Sequence, residues 1–241
     1  LKECYPSLQK KYKANYGLLD KIFQYAAIVN IKKSTVINLD ELFYKLLEIY
    51  SIQGLIECGA NEASASKRFV KNGYKAIAIE ANPYTAKNLL LNSNEMLKVK
   101  NVGLSDKEET LNFYYPKGSK IAGSASFLKK DKIEYEKILV QANTLDNIIK
   151  DESILKTPFA CWIDLEGFQD QFLKGAKKSL SLNNCKFLKI EVEDKFIYKR
   201  QKLDSNGVNI YLEKLGYMPI FRDFEYQYQY NCIYIKKELV D

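Results

Sequence analysis

From Gly54 onward the apolar residues fall into two alternating patterns. Short unbroken apolar runs suit strands buried on both faces, and stretches with apolar residues every three or four positions suit amphipathic helices. The runs at Gly54–Cys58, Lys75–Glu80 and 96–104 predict strands, and 63–72 and 83–94 predict the helices between them. The second helix opens with Pro83, whose fixed φ suits a first turn. This alternation implies βαβ units with right-handed crossovers and a mostly parallel sheet.

The rhythm breaks across 109–141, where a β-like 110–115 is followed by a Gly/Ser loop at 116–126 and a charged stretch at 129–137 before strand character resumes in ILVQAN. Long insertions in compact α/β domains are often functional, so a loop facing substrate or closing over cofactor is expected here. A helix over 144–150 then leads to the buried run PFACWIDLEGF, a fourth parallel strand ending near Asp164 and Glu166. A helix at 169–182, a strand at 186–193, a helix at 207–215 and a closing pair at 216–220 and 230–236 complete the order. That pair is expected to put an antiparallel strand at the sheet edge. The tyrosine-rich YQYQYNCIYI alternates as a strand does, with core packing on one face and tyrosines on the other.

Residues 5–50 read as helical. One face carries Leu18, Leu19, Ile22, Phe23 and Tyr25, and a second helix starts near Asn38 or Asp40 and turns Leu42, Phe43, Leu46, Leu47 and Ile49 inward. The expected division is a helical extension over 1–50 and one α/β domain over 51–241.

Composition narrows the chemistry. The 241 residues contain no histidine, which excludes a histidine general base, a Ser-His triad and a histidine-liganded metal. The formal charge of +7 is lysine-dominated and dispersed, as on a solvated surface, and does not form the clustered basic patch of a nucleic-acid reader. Five cysteines without CxxC spacing suit buried free thiols in a reducing compartment better than disulfides or zinc. No stretch is long and apolar enough to span a bilayer and no secretory signal is evident, so a cytoplasmic location is expected.

The candidate chemistry gathers at strand ends, where open parallel sheets bind ligands. The turn after the first strand, Glu57-Cys58-Gly59-Ala60-Asn61, can bend tightly at Gly59 and let a ligand approach the main chain. Glu57 can accept a bond from a cationic amino group, and the following helix-start amides favour an anion, so a zwitterionic amino-acid end is well matched. The dinucleotide fingerprint fails, because Asn61 and Ser64 stand where its later glycines belong. Taken alone, such a turn is equally compatible with no ligand. Glu80, ending the next strand, occupies the position from which a carboxylate accepts both hydroxyls of an adenosine ribose. A third group is Asp164 and Glu166 with Glu191 and Glu193, paired by period-two spacing if each stays extended. These carboxylates can deprotonate a hydroxyl, hold a divalent ion, or simply cap a helix and pair with lysines.

With these residues in view, the chain resembles the FkbM family of S-adenosylmethionine-dependent methyltransferases. The matching stretches are IECGANEAS, AIEANPYTAKNLLLN, NVGLSDKEETLNFY, NTLDNII, WIDLEGFQDQFLKGA and LKIEVED, in order across 54–194. The resemblance implies a class I methyltransferase fold, Rossmann-like, with a seven-stranded sheet whose last strand is antiparallel, and methyl transfer commonly to a hydroxyl oxygen. It places Glu57, Gly59, Ala60 and Asn61 at the methionine end of S-adenosylmethionine, and Glu80, Ala81 and Asn82 at the ribose. Ser105 and Asp106 fall near adenine, and Asp164 and Glu166 at the reaction centre, with Asp164 also bordering the cofactor. Glu191, Glu193, Ser124 and Ser126 are candidate contacts to substrate or to a divalent metal ion. Ala63 stands where the family usually has glycine, and its methyl is expected to narrow the approach to the cofactor. The expected acceptor is a sugar hydroxyl in a glycan or natural product, ahead of nucleic acid or a lipid headgroup, with a non-catalytic cofactor-binding module as the remaining alternative.

Overall fold

The computed structural model describes residues 39–223 and 228–240. The first helical face, Asn38, Cys4 and part of the tyrosine-rich segment lie outside them. In chain order the sheet-forming half runs α1 (Leu39–Ile49), β1 (Gly54–Cys58), α2 (Ser64–Lys71), β2 (Lys75–Glu80), α3 (Pro83–Leu90) and β3 (Leu97–Asn101). The inserted segment contributes β4 (Gly103–Leu104), β5 (Glu109–Pro116), β6 (Lys129–Lys130) and β7 (Tyr135–Asn143). The chain continues through α4 (Leu145–Ile148), β8 (Phe159–Ile163), α5 (Gln169–Gly175), α6 (Lys177–Ser181) and β9 (Cys185–Glu193). It ends with β10 (Tyr198–Lys199), α7 (Ser205–Lys214), β11 (Tyr217–Arg222) and β12 (Gln229–Lys236).

Seven strands form one sheet in the order β11-β12-β9-β8-β1-β2-β3. The pairs from β9 to β3 are parallel, whereas β12 runs antiparallel to both β9 and β11. The expected mostly parallel sheet with an antiparallel last strand is therefore present, with β12 inserted between β11 and β9. β1 has all five residues buried and β2 all but Lys75, the pattern of strands covered on both faces.

Two apolar clusters cover those faces. One packs Ile56, Cys161, Leu188 and Ile190 against Phe172, Leu180 and Leu212 of α5, α6 and α7. The other packs Leu55, Ala78, Phe187 and Ile233 against Phe43 and Leu47 of α1, Phe69 of α2 and Leu89 of α3. Within β12, Tyr230, Cys232 and Tyr234 join the first cluster and Ile233 and Ile235 the second, so the tyrosine face is itself core. Among the described residues no helix is long and apolar enough to cross a membrane.

Several boundaries differ from the sequence expectation for local reasons. The inward stripe of α1 is Leu39, Phe43 and Leu47, spaced one turn apart, and Ile49 falls off it at 63% exposure. The single helix expected over 169–182 breaks at Ala176, which leaves the helical region at φ −108°, ψ 3°. The strand expected over 96–104 splits, and its second part joins a separate small sheet of order β4-β7-β5. Helix starts follow side-chain caps: Asn82 Oδ1 accepts the Tyr84 amide at 3.0 Å, and Asp204 Oδ1 the Gly207 amide at 2.8 Å.

Candidate active site

The carboxyl ends of β1, β2, β8 and β9 open into a cavity of about 720 Å³. Asn61, Glu80 and Asn82 line one part, Asp164, Glu166 and Glu191 another, and residues 122–127 of the inserted loop form a wall. A cavity of about 330 Å³ on the α1 side also meets Gly59, Asn61 and Asp164 and adds Tyr44, Glu57 and Trp162.

Glu80 is the last residue of β2 and is 7% exposed. Its Oε2 accepts the Asn61 amide at 2.6 Å and its Oε1 the Asn82 amide at 2.7 Å, so one carboxylate ties together the turns after β1 and β2. Each oxygen retains further acceptor capacity on the cavity. Burial raises the Glu80 pKa, and the amide bonds oppose that rise.

Glu57 has a different task. Its Oε2 accepts the Ser66 amide at 2.8 Å and its Oε1 the Ala65 amide at 3.3 Å, so the first turn of α2 receives its anion from within the chain. Burial pushes the Glu57 pKa up to about 7, against the bonds from Ser66 and Ala65 and with help from the nearby Glu80 charge. Tyr44 faces it from α1, and Arg68 is engaged by Glu41 at 2.6 Å. The folded-state pKa lies above the ordinary 4.5, so the folded chain binds more protons than the unfolded chain between those values. Stability is expected to fall as pH rises from about 4.5 to 7, by on the order of 2–3 kcal/mol. Denaturant unfolding of wild type and Glu57→Gln across that range checks this; the variant should show the flatter profile.

Gly59 adopts φ +78°, and a Cβ there would lie 1.8 Å from the Asp164 carbonyl oxygen. The space is claimed by the neighbouring strand end, so glycine is required for chain packing before any ligand arrives. The Ala60 amide bonds the Ile79 carbonyl at 2.9 Å, which holds this turn against β2. Ala63, also left-handed at φ 55°, is fully buried in the α1-side core and borders neither cavity. Its methyl therefore does not narrow the ligand approach as the sequence suggested.

At the other end, β8 stops at Ile163. Glu166 then takes φ +50° and Gly167 φ +92°, so Asp164 and Glu166 do not share an extended strand as period-two spacing assumed. The left-handed turn still brings them together, and one oxygen from each lies within 4.8 Å of an oxygen of Glu191. Glu191 and Glu193 do lie in extended β9, both buried. Burial, then Asp164 and Glu166, drive the Glu191 pKa well above the carboxylate range. Glu193 sits behind, held by Gln201 Nε2 at 3.0 Å and Gln169 Nε2 at 3.4 Å, and burial pushes its pKa up to about 8 despite the Gln169 bond.

Ser126 donates to the Glu166 carbonyl at 2.7 Å and clamps the inserted loop over the acidic turn, while Ser124 borders the cavity. Ala81 borders it beside Glu80. Ser105 and Asp106 do not border it: the Ser105 hydroxyl donates to Glu109 Oε1 at 2.7 Å, and Val102 and Leu104 occupy the cavity wall. Two residues were not foreseen. Lys130 Nζ lies 3.4 Å from Glu166 Oε2, and the Tyr198 hydroxyl donates to the same oxygen. They meet because β6 and β10 form a two-residue ladder pairing Lys130 with Tyr198, too short to leave a periodic signal in sequence.

A cavity of mixed polar and apolar lining, with a buried acceptor carboxylate in one part and converging carboxylates in another, can hold a nucleoside and take a proton from a second ligand. Among solved structures, the fold resembles magnesium protoporphyrin IX methyltransferase from Synechocystis with bound SAM, at 8% identity and TM-score 0.46, covering 97% of this chain and 90% of that one. It also resembles 1,6-didemethyltoxoflavin-N1-methyltransferase from Burkholderia thailandensis, at 8% identity and TM-score 0.44, covering 94% and 93%. A third is a SAM-dependent methyltransferase from Aquifex aeolicus, at 11% identity and TM-score 0.40, covering 80% and 88%. No curated protein matches the chain in sequence. The family model described as the methyltransferase FkbM domain matches residues 57–219, most of the α/β domain and all of the acidic strand ends. The chain belongs to the FkbM methyltransferase family.

Proposed function

We propose that the chain methylates a hydroxyl oxygen of a sugar, with S-adenosylmethionine as donor. The observation that carries this reading is the single cavity that includes both the Glu80 carboxylate and the Asp164, Glu166 and Glu191 carboxylates. The residues fit the donor: Glu80 is a buried acceptor for a ribose diol, Val102 and Leu104 offer apolar surface to a base, and Asp164 borders both cavities. When bound, S-adenosylmethionine supplies an electrophilic methyl group on a sulfonium.

The chain's own contribution is alignment, exclusion of water and removal of a proton. Asp164 and Glu166 face the cavity where an acceptor hydroxyl would sit, and in a protein without histidine they are the bases within reach. The acceptor half is lined by carboxylates, Lys130, Ser124 and Gln229, groups suited to a polyol with several hydroxyls. Among the described residues, the buried thiols of Cys58, Cys161 and Cys185 support a reducing, cytoplasmic setting.

The test is a panel of free sugars, nucleotide sugars and glycans, with RNA and phospholipid vesicles beside them, each incubated with methyl-labelled S-adenosylmethionine. Label is expected on a sugar oxygen. Label confined to RNA or lipid, or donor binding with no transfer to any acceptor, would overturn the proposal.

A further inference from the structure

Asp164, Glu166 and Glu191 approach one another from two strand ends, with one oxygen of each inside 4.8 Å of the others. Lys130 lies beside these three carboxylates, its Nζ 3.4 Å from Glu166 Oε2. Tyr198 adds a hydrogen bond to the same Glu166 oxygen and no charge. Glu191 is 5% exposed; Gln229 hydrogen-bonds its carboxylate, yet its Oε2 is buried without a hydrogen-bond partner. Glu191 borders the same cavity as Asp164 and Glu166, and one of its oxygens lies within 4.8 Å of an oxygen of each. A buried, unpartnered carboxylate oxygen is costly unless a ligand satisfies it.

We propose that these three carboxylates form a binding site for one hard divalent cation. All three ligands are oxygens, the donor type that Ca²⁺ and Mg²⁺ take. Oxygens on opposite sides of Ca²⁺ stand about 4.6–5.2 Å apart, and those around Mg²⁺ about 4.0–4.2 Å, so three oxygens within 4.8 Å of one another are close enough to share one such ion. Three protein oxygens leave coordination positions open toward the cavity, where two neighbouring hydroxyls of a sugar can enter. There the ion would act as a Lewis acid that lowers the pKa of the acceptor hydroxyl. The role in transfer rests on the methyltransferase reading above, whereas the ion site stands on geometry alone.

The test uses the full chain, stripped with chelator and free of donor and acceptor. It is titrated with Mn²⁺, followed by the electron paramagnetic resonance signal of the free ion, and with Ca²⁺ and Mg²⁺ by calorimetry. Saturable binding of one ion per chain is expected, with a rise in melting temperature. Glu191→Gln should weaken binding at least tenfold and abolish that rise, while melting in chelator no lower than wild type, because Gln keeps the size and shape of the side chain and carries no charge. If Glu191→Gln does not fold, Asp164→Asn at the less buried ligand carries the same comparison. Absence of saturable binding, or binding unchanged in the variant that folds, overturns the site in favour of carboxyls sharing a proton. S-adenosylhomocysteine is titrated into the same stripped protein. Its failure to bind beside intact Mn²⁺ binding would sink the methyl-transfer reading and leave the ion site standing, and the reverse result would sink the ion site alone.

Discussion

Replacing Asp164 by Asn is expected to lower turnover by about 10²–10⁴-fold, the usual contribution of a positioned general base. Asn keeps the shape and one carbonyl acceptor but cannot take a proton at neutral pH. Affinity for S-adenosylhomocysteine, measured by calorimetry, should fall far less than turnover, because the Glu80 carboxylate proposed to hold the ribose is left intact. Glu166→Gln should cost less, about tenfold, because Glu166 Oε2 is already engaged by Lys130 and Tyr198 and is less free to take the proton. Unchanged turnover in both folded variants would show that neither carboxylate removes the proton.

Glu80→Ala is expected to weaken S-adenosylhomocysteine binding by about 10²–10⁴-fold. Two charge-assisted hydrogen bonds to a ribose diol are worth about 1.5–3 kcal/mol each, and both are lost. The variant also leaves the Asn61 and Asn82 amides without their acceptor, which loosens the two turns that shape the site. Glu80→Gln separates these effects, since its carbonyl can still accept one bond; a loss of about tenfold is expected. Undiminished binding in either variant would remove Glu80 from the ribose.

How far the site could be read in advance depended on the range of each interaction. Glu57, Glu80, Asp164 and Glu191 were all legible because each marks the polar end of an apolar run, and strand ends in a parallel sheet converge. Their partners were not equally legible. Glu57 borders the smaller cavity, and its carboxylate also receives the Ala65 and Ser66 amides of α2, a contact set by how the turn folds back. Gly59 borders both cavities, and the position a Cβ would take there is closed by the Asp164 carbonyl, just past β8 and more than a hundred residues later. Ser105 and Asp106 were placed beside a base, yet Val102 and Leu104 border the cavity because the chain turns into a separate sheet between β3 and β4.

The sequence by itself determined the alternation of buried strands and amphipathic helices, the parallel sheet and the family, since these follow from apolar periodicity and from motifs contained in short segments. It also excluded histidine chemistry outright. Only the tertiary structure decided which carboxylates meet. Asp164, Glu166 and Glu191 converge through a left-handed turn at Glu166, and Lys130 and Tyr198 join them across a two-residue ladder. Such contacts bring together positions distant in the chain at the cost of local strain, and no periodicity along the sequence encodes them.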